Sequence, residues 1–162
     1  MSRERQDLLS RSALGVFRLN GQFLGVAEEL AKPSGLTAAW WQVLGAVLAE
    51  PLTVAGIARA MDGGLGVSPR KHRTRQSVQR IADLLVERGL AEYRPNPAHR
   101  RAKLLAPTEE GRAAIHRINP GHAAFADRLA EAFGEAELAE AVQTLERLSK
   151  VLDQLGPPVT EP

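Results

Sequence analysis

TRQSVQRIADLLVERGLAEYRPNPAHRRAK, residues 74–103, decides the fold. It reads as a helix followed by a two-stranded ribbon. Thr74 is suited to cap the helix, because its hydroxyl can accept a bond from an unpaired amide of the first turn. Val78, Ile81, Leu84 and Leu85 then recur at helical spacing and form one apolar face. Arg75, Gln76, Gln79, Arg80, Asp83 and Glu87 fall on the other side. Gly89 is a natural stop, since glycine takes the left-handed conformation cheaply and Leu90 can pack back on the last turn. Residues 91–94 and 102–105, around the tip Pro95-Asn96-Pro97-Ala98-His99-Arg100-Arg101, predict a hairpin. A helix showing Arg and Gln at its N-terminal end can enter a DNA major groove, with a basic hairpin reaching the backbone or the neighbouring minor groove. The plain alternative is a solvated amphipathic helix beside an ordinary hairpin. The conjunction of cap, helix, hairpin and clustered charge weighs against it.

The charge is concentrated on this stretch. From Arg70 to Lys103 there are ten Lys/Arg against three acids, a net +7. Residues 1–69 are neutral and residues 104–162 carry −5, although the whole chain is only +2. A basic block inside a neutral-to-acidic chain is an electrostatic footprint for phosphate.

Working outward, residues 8–30 have a helical pattern, with Leu9, Ala13, Val16, Phe23, Leu24, Ala27 and Leu30 as a stripe. Leu14, Phe17 and Leu19 widen that stripe beyond one face. Thr37 is placed to cap a helix over 38–49. Pro51-Leu52-Thr53 reads as a turn whose threonine caps a short helix over 54–61. Thr108-Glu109-Glu110 opens another helix towards Phe133, with a kink expected at Pro120-Gly121. Leu138, Val142, Leu145, Leu148, Leu152 and Leu155 recur near a 3.5 period in the last helix. The terminal helices carry more apolar surface than a 162-residue monomer needs, which predicts a homodimer with two recognition helices on a pseudo-palindromic site.

Composition narrows the function classes. With 44% apolar and 25% charged residues the chain reads as one globular domain. It has no apolar run of membrane-spanning length, and its charged N-terminus does not resemble a secretory signal. A cytoplasmic location is the simplest expectation. Cysteine is absent, so disulfides, thiolate metal sites and cysteine nucleophiles are excluded. The histidines at 72, 99, 116 and 122 lack metal-ligand spacing, and Gly63-Gly64-Leu65-Gly66 is not followed by the Gly-Lys-Ser/Thr of a phosphate loop. No catalytic residues, metal or cofactor are expected.

The chain resembles the multiple-antibiotic-resistance regulator (MarR) family of winged-helix proteins. The residues that carry the resemblance begin with Leu36-Thr37, Trp41-Gln42-Val43-Leu44, Leu52-Thr53-Val54 and Ile57-Ala58. They continue through Arg75-Gln76-Ser77-Val78-Gln79-Arg80, Leu84-Leu85, Glu87-Arg88-Gly89-Leu90, Asn96-Pro97, Arg100-Arg101-Ala102-Lys103 and Thr108-Glu109-Glu110-Gly111-Arg112. The resemblance implies an obligate homodimer on operator DNA. It also implies a cleft for small aromatic effectors, for which Phe17, Trp40 and Trp41 are the candidate lining residues. Three departures stand out. Residues 62–73 look like an insertion, glycine-rich and then basic, expected to be mobile without DNA. His99 replaces the usual acid before the wing arginines, and Trp40 stands where Gln is common.

The expected architecture is therefore mainly α: a winged helix-turn-helix with a small β-hairpin wing. Residues 36–107 would form the DNA-binding lobe, and 8–35 plus 109–156 the helical dimerisation region. Arg75, Gln76, Gln79 and Arg80 are the candidate groove contacts. Ser77 is a candidate phosphate or cap contact. Arg70, Lys71 and Arg73 would add phosphate contacts, and Arg100 and Arg101 would arm the wing. The expected function is a double-stranded-DNA-binding transcriptional regulator acting as a repressor. The alternative is a winged-helix protein–protein module whose basic block grips an acidic partner.

Overall fold

A computed structural model of the chain describes residues 2–62 and 71–156, and the side chains of Asp62 and of 71–74 lie outside that description. The expected mobile insertion falls largely on residues 63–70, outside the described residues. Six helices and three short strands are described: α1 (Ser2–Ala31), α2 (Ala38–Ala46), β1 (Leu52–Thr53), α3 (Val54–Asp62), α4 (Lys71–Glu87), β2 (Ala91–Arg94), β3 (Leu104–Pro107), α5 (Glu109–Phe133) and α6 (Glu135–Leu155). A 3₁₀ turn at Lys32–Ser34 joins α1 to α2. By internal contacts the chain forms two compact units, Met1–Pro120 and Gly121–Pro162. Their boundary falls in α5 at Pro120, whose ring nitrogen has no hydrogen to give the helix.

The first unit holds the core. Leu44 and Val43 of α2, Ile57 of α3, Val78, Ala82 and Leu85 of α4, Leu105 of β3 and Ile118 of α5 are all buried in one cluster. Each fully buried Leu or Ile there stabilises the fold by roughly 1.5–3 kcal/mol. The apolar spacing read in α4 at Val78, Ile81 and Leu85 is that of its core-facing side, whereas Leu84 is half-buried and outside the cluster. Short-range chemistry sets the helix starts. Thr37 Oγ1 accepts from Trp40 N at 3.2 Å, and Glu28 of α1 reaches across to accept from Ala38 N at 3.1 Å, so two otherwise unpaired amides of α2 are satisfied. Thr53 Oγ1 accepts from Gly56 N at 3.0 Å in the same way.

At the end of α4, Gly89 has φ +71°, the Leu90 amide donates to Leu85 O at 2.9 Å and the Gly89 amide to Val86 O at 3.0 Å. This paired closure satisfies two terminal carbonyls and turns the chain into β2. Thr108 then does two jobs: its Oγ1 accepts from Gly111 N at 3.2 Å as the cap of α5, and donates to Gly89 O at 2.6 Å. The start of α5 is thereby fastened to the end of α4.

Five boundaries differ from the sequence reading, the first being α1, which begins at Ser2 rather than at Leu8. The recognition helix α4 begins at Lys71, so Thr74 lies inside it rather than capping it. Lys and Arg are strong helix formers, and one more turn adds backbone hydrogen bonds once the helix is nucleated. Helix α2 stops at Ala46 instead of running to 49, closed by Val47 N to Leu44 O at 3.2 Å. Leu52 and Thr53 are not a turn but a third strand, pairing with Leu105 and Leu104, so the sheet order is β1-β3-β2. The second wing strand is Leu104–Pro107 rather than 102–105, because Ala102 N closes a tip turn onto His99 O at 3.3 Å. Pro107 is tolerated in the central strand since β1 stops short of it.

Helix α1, in the first unit, leaves Leu8, Leu9, Leu14, Phe17 and Phe23 exposed, Leu9 by 67%. In the second unit α6 leaves Val142, Leu145, Val151, Leu152 and Leu155 exposed, Leu155 by 75%. No described helix is long and apolar enough to cross a membrane.

Candidate nucleic-acid interface

The polar face of α4 is the starting point. Arg75, Gln76, Ser77, Gln79 and Arg80 are all exposed, on the side away from Val78, Ala82 and Leu85. The Schellman-type closure at Gly89 sends β2 back alongside this helix, and β3 returns the wing's basic end to the same place.

Between them lies an open cleft of about 720 Å³. Arg75, Gln76 and Gln79 of α4 form one wall, and Tyr93, Arg101, Ala102 and Lys103 of the wing form the other. Thr53, Val54 and Ala55, at the start of α3, close one side. The first amides of a helix lack intrahelical partners and carry the positive end of its dipole, so this side too favours negative charge. Three cations, Arg75, Arg101 and Lys103, line the cleft against the single acid Asp83. A second hollow of about 400 Å³ on α4 is lined by Gln76, Gln79, Arg80, Asp83, Leu84 and Glu87.

The candidate residues therefore separate. Arg75, Gln76, Gln79 and Arg101 share the larger cleft, whereas Arg80 lines the smaller hollow with Gln76 and Gln79. Ser77 and Arg100 are exposed but line neither. Lys71 and Arg73 lie in the first turn of α4, and Arg70 is outside the described residues. Phe17 is 62% exposed on α1. Trp40 and Trp41 pack against the core cluster, with the Arg88 guanidinium 5.6 Å from the centre of the Trp40 ring.

Among the cleft residues that were not candidate contacts in the sequence reading are Thr53, Asp83, Tyr93 and Lys103. Asp83 follows Gln79 by four positions, a spacing that lets the two side chains bond on a helix, and Gln79 Nε2 donates to Asp83 Oδ1 at 3.0 Å. Tyr93 shares a face of β2 with buried Ala91, between exposed Glu92 and Arg94, and its ring lies 5.9 Å from Lys103 Nζ. Its hydroxyl donates to Asp83 Oδ1 at 2.5 Å and accepts from Gln79 Nε2 at 3.0 Å. Partial burial, then the bond to Asp83 and its charge, push the Tyr93 phenol up to about 12, with the Gln79 donor pulling weakly the other way.

No family model matches the chain. The uncharacterized protein Rv2011c of Mycobacterium tuberculosis strain H37Rv is 39% identical over 142 residues, covering 88% of this chain and 92% of its own. A MarR-family transcriptional regulator from Rhodococcus sp. RHA1 superposes with a TM-score of 0.65 at 27% identity, over 87% of this chain and 94% of that one. The transcriptional repressor CouR bound to a 23-mer DNA duplex gives a TM-score of 0.69 at 26% identity, over 83% and 89%. CouR from Rhodococcus jostii RHA1 bound to p-coumaroyl-CoA gives 0.61 at 27%, over 90% and 92%. The chain shares a family with the mycobacterial protein, and its fold is that of the MarR winged helix-turn-helix transcriptional regulators.

Proposed function

We propose that the chain is a sequence-specific double-stranded-DNA-binding repressor that acts as a homodimer on a pseudo-palindromic operator. The observation that carries this reading is the shared cleft: Arg75 and Gln76 from α4 stand opposite Arg101 and Lys103 from the wing. Guanidinium and amide groups on a helix face can read base edges in a major groove. The wing cations, set beside them, can hold the phosphates that fix the helix in register. A similar fold, CouR, is solved on a DNA duplex.

The exposed apolar residues of α1 and of α6 support association with a second copy, since patches of this kind on a lone chain mark interaction sites. A small effector that releases DNA is the finest part of the reading. Its support is that CouR is solved with p-coumaroyl-CoA, and Phe17, Trp40 and Trp41 are the candidate aromatic contacts. The test of DNA recognition is a gel shift with duplex DNA flanking the chain's own gene in excess random competitor. A discrete complex that survives the competitor is expected. Equal loss of all sequences overturns the reading.

A further inference from the structure

The wing is rooted in the core by Ala91 of β2 and Leu105 of β3. Tyr93 is the residue of β2 nearest the tip that still packs on that cluster, and Arg94 beyond it is exposed. The backbone ladder sets Tyr93 opposite Leu105 and so holds the two wing strands to each other rather than to α4. Among the described residues, the side-chain hydrogen bonds between α4 and the wing strands all end on one group, the Tyr93 hydroxyl. It donates to Asp83 Oδ1 at 2.5 Å and accepts from Gln79 Nε2 at 3.0 Å. Seen from Nε2, those two oxygens lie close together, so one Gln79 hydrogen serves both and the other stays free.

The Tyr93 ring has a second neighbour, Lys103 Nζ, 5.9 Å from its centre. A cation at that distance from an aromatic face is attracted by the negative charge of the ring face. Tyr93 therefore meets the recognition helix with its hydroxyl and the wing cation with its ring, and all four residues line the same cleft.

Asp83 stands among Arg75, Arg101 and Lys103, where its charge repels phosphate. What it supplies is a charged acceptor for Tyr93, and charge-assisted hydrogen bonds are about twice as strong as neutral ones. We propose that Tyr93 sets the span of the DNA-binding cleft: Asp83 and Gln79 hold its hydroxyl to the recognition helix, while its ring holds Lys103 on the wing side. Tyr93 and Asp83 are thus positioning residues. The proposal rests on the DNA-binding reading above and adds to it which residues keep the helix and the wing in register. Binding to a chosen site needs that register, because bases and phosphates must be met at once. Attraction to phosphate alone is independent of sequence and needs it much less.

The experiment measures wild type, Tyr93→Phe, Asp83→Ala and the double variant on a selected operator and on a random duplex of equal length, at one salt concentration. Phenylalanine keeps the ring beside Lys103 and deletes the hydroxyl. In Tyr93→Phe the operator-to-random affinity ratio should fall roughly tenfold, about the worth of one hydrogen bond to a charged group. A merely structural role would lower the melting temperature and leave that ratio alone. Asp83→Ala should lower the ratio by a similar factor, and should raise affinity for the random duplex by about two- to fivefold, since a negative charge leaves the cleft. Both changes break the same bond, so the double variant should lose no more than about twofold beyond either single one. A wild-type ratio in Tyr93→Phe overturns the proposal, and so does a double variant whose losses multiply. Asp83 is an exposed helix position, so a wild-type ratio in Asp83→Ala overturns it equally if Tyr93→Phe fails to fold. A second arm needs no DNA. Amide exchange over residues 92–104 of the free protein should quicken by about threefold or more in either single variant. Unchanged exchange in both removes the tie. Selection of no operator by the wild type overturns the DNA-binding reading and the proposal with it, while amide exchange still reports the tie.

Discussion

A Cβ placed on Gly111 would overlap the carbonyl oxygen of Leu90. The first turn of α5 therefore sits directly on the chain leaving α4, closer than any residue with a side chain allows. Gly111→Ala gains about 1 kcal/mol of helix propensity, but overpacking against backbone costs roughly 1–3 kcal/mol or more. The net expectation is a lower urea midpoint with an unchanged slope. An equal or raised midpoint would show that α5 shifts freely.

Thr108 tests the same junction through its hydroxyl, which both caps Gly111 N and donates to Gly89 O. Thr108→Val keeps the volume and removes both bonds, with an expected cost of roughly 1–2 kcal/mol. Thr108→Ser should restore most of it. If valine and serine behave alike in thermal unfolding, the hydroxyl contributes nothing.

The caps and the α4 face were legible in the sequence because they are local. Thr37, Thr53 and the Gly89 stop act within a few residues, and Val78, Ile81 and Leu85 declare their face by spacing alone. Strand β1 was not legible: Leu52 and Thr53 are extended only because Leu105 and Leu104 lie opposite. The same holds for the tie of Gln79 to Tyr93, fourteen residues apart and brought together by the turn at Gly89. The start of α4 was misplaced because Thr74 satisfies a cap rule that the added turn from Lys71 overrides. In the site, Arg75, Gln76, Gln79 and Arg101, candidate DNA contacts from the sequence, line one cleft, but Lys103 and Thr53 enter only through the pairing of β1 and β2 with β3.

The raised Tyr93 pKa predicts an alkaline stability loss. Its phenol titrates near 10 when unfolded and near 12 when folded. Its contribution is thus fully present below about pH 10 and disappears as pH rises through 12. Urea midpoints measured from about pH 9 to 11.5 should fall more steeply in wild type than in Tyr93→Phe. Parallel curves would contradict the assigned bonds.

Self-association is the outcome expected from the exposed faces of α1 and α6. Sedimentation at low micromolar concentration should give about twice the 17.5 kDa chain mass. Leu9→Glu with Phe17→Glu should shift the equilibrium to monomer. A folded wild-type monomer at that concentration would remove the two-half-site model.

If the cleft between α4 and the wing holds DNA, the affinity should depend on salt through the wing cations. Affinity for a selected operator should be measured by fluorescence anisotropy from low to moderate salt for wild type, Arg101→Ala and Lys103→Ala. Each variant should bind more weakly, with base preferences unchanged. Its log–log salt slope should be shallower by roughly one unit for each phosphate that a protomer no longer neutralises. Wild-type affinity and slope in both variants would contradict the account.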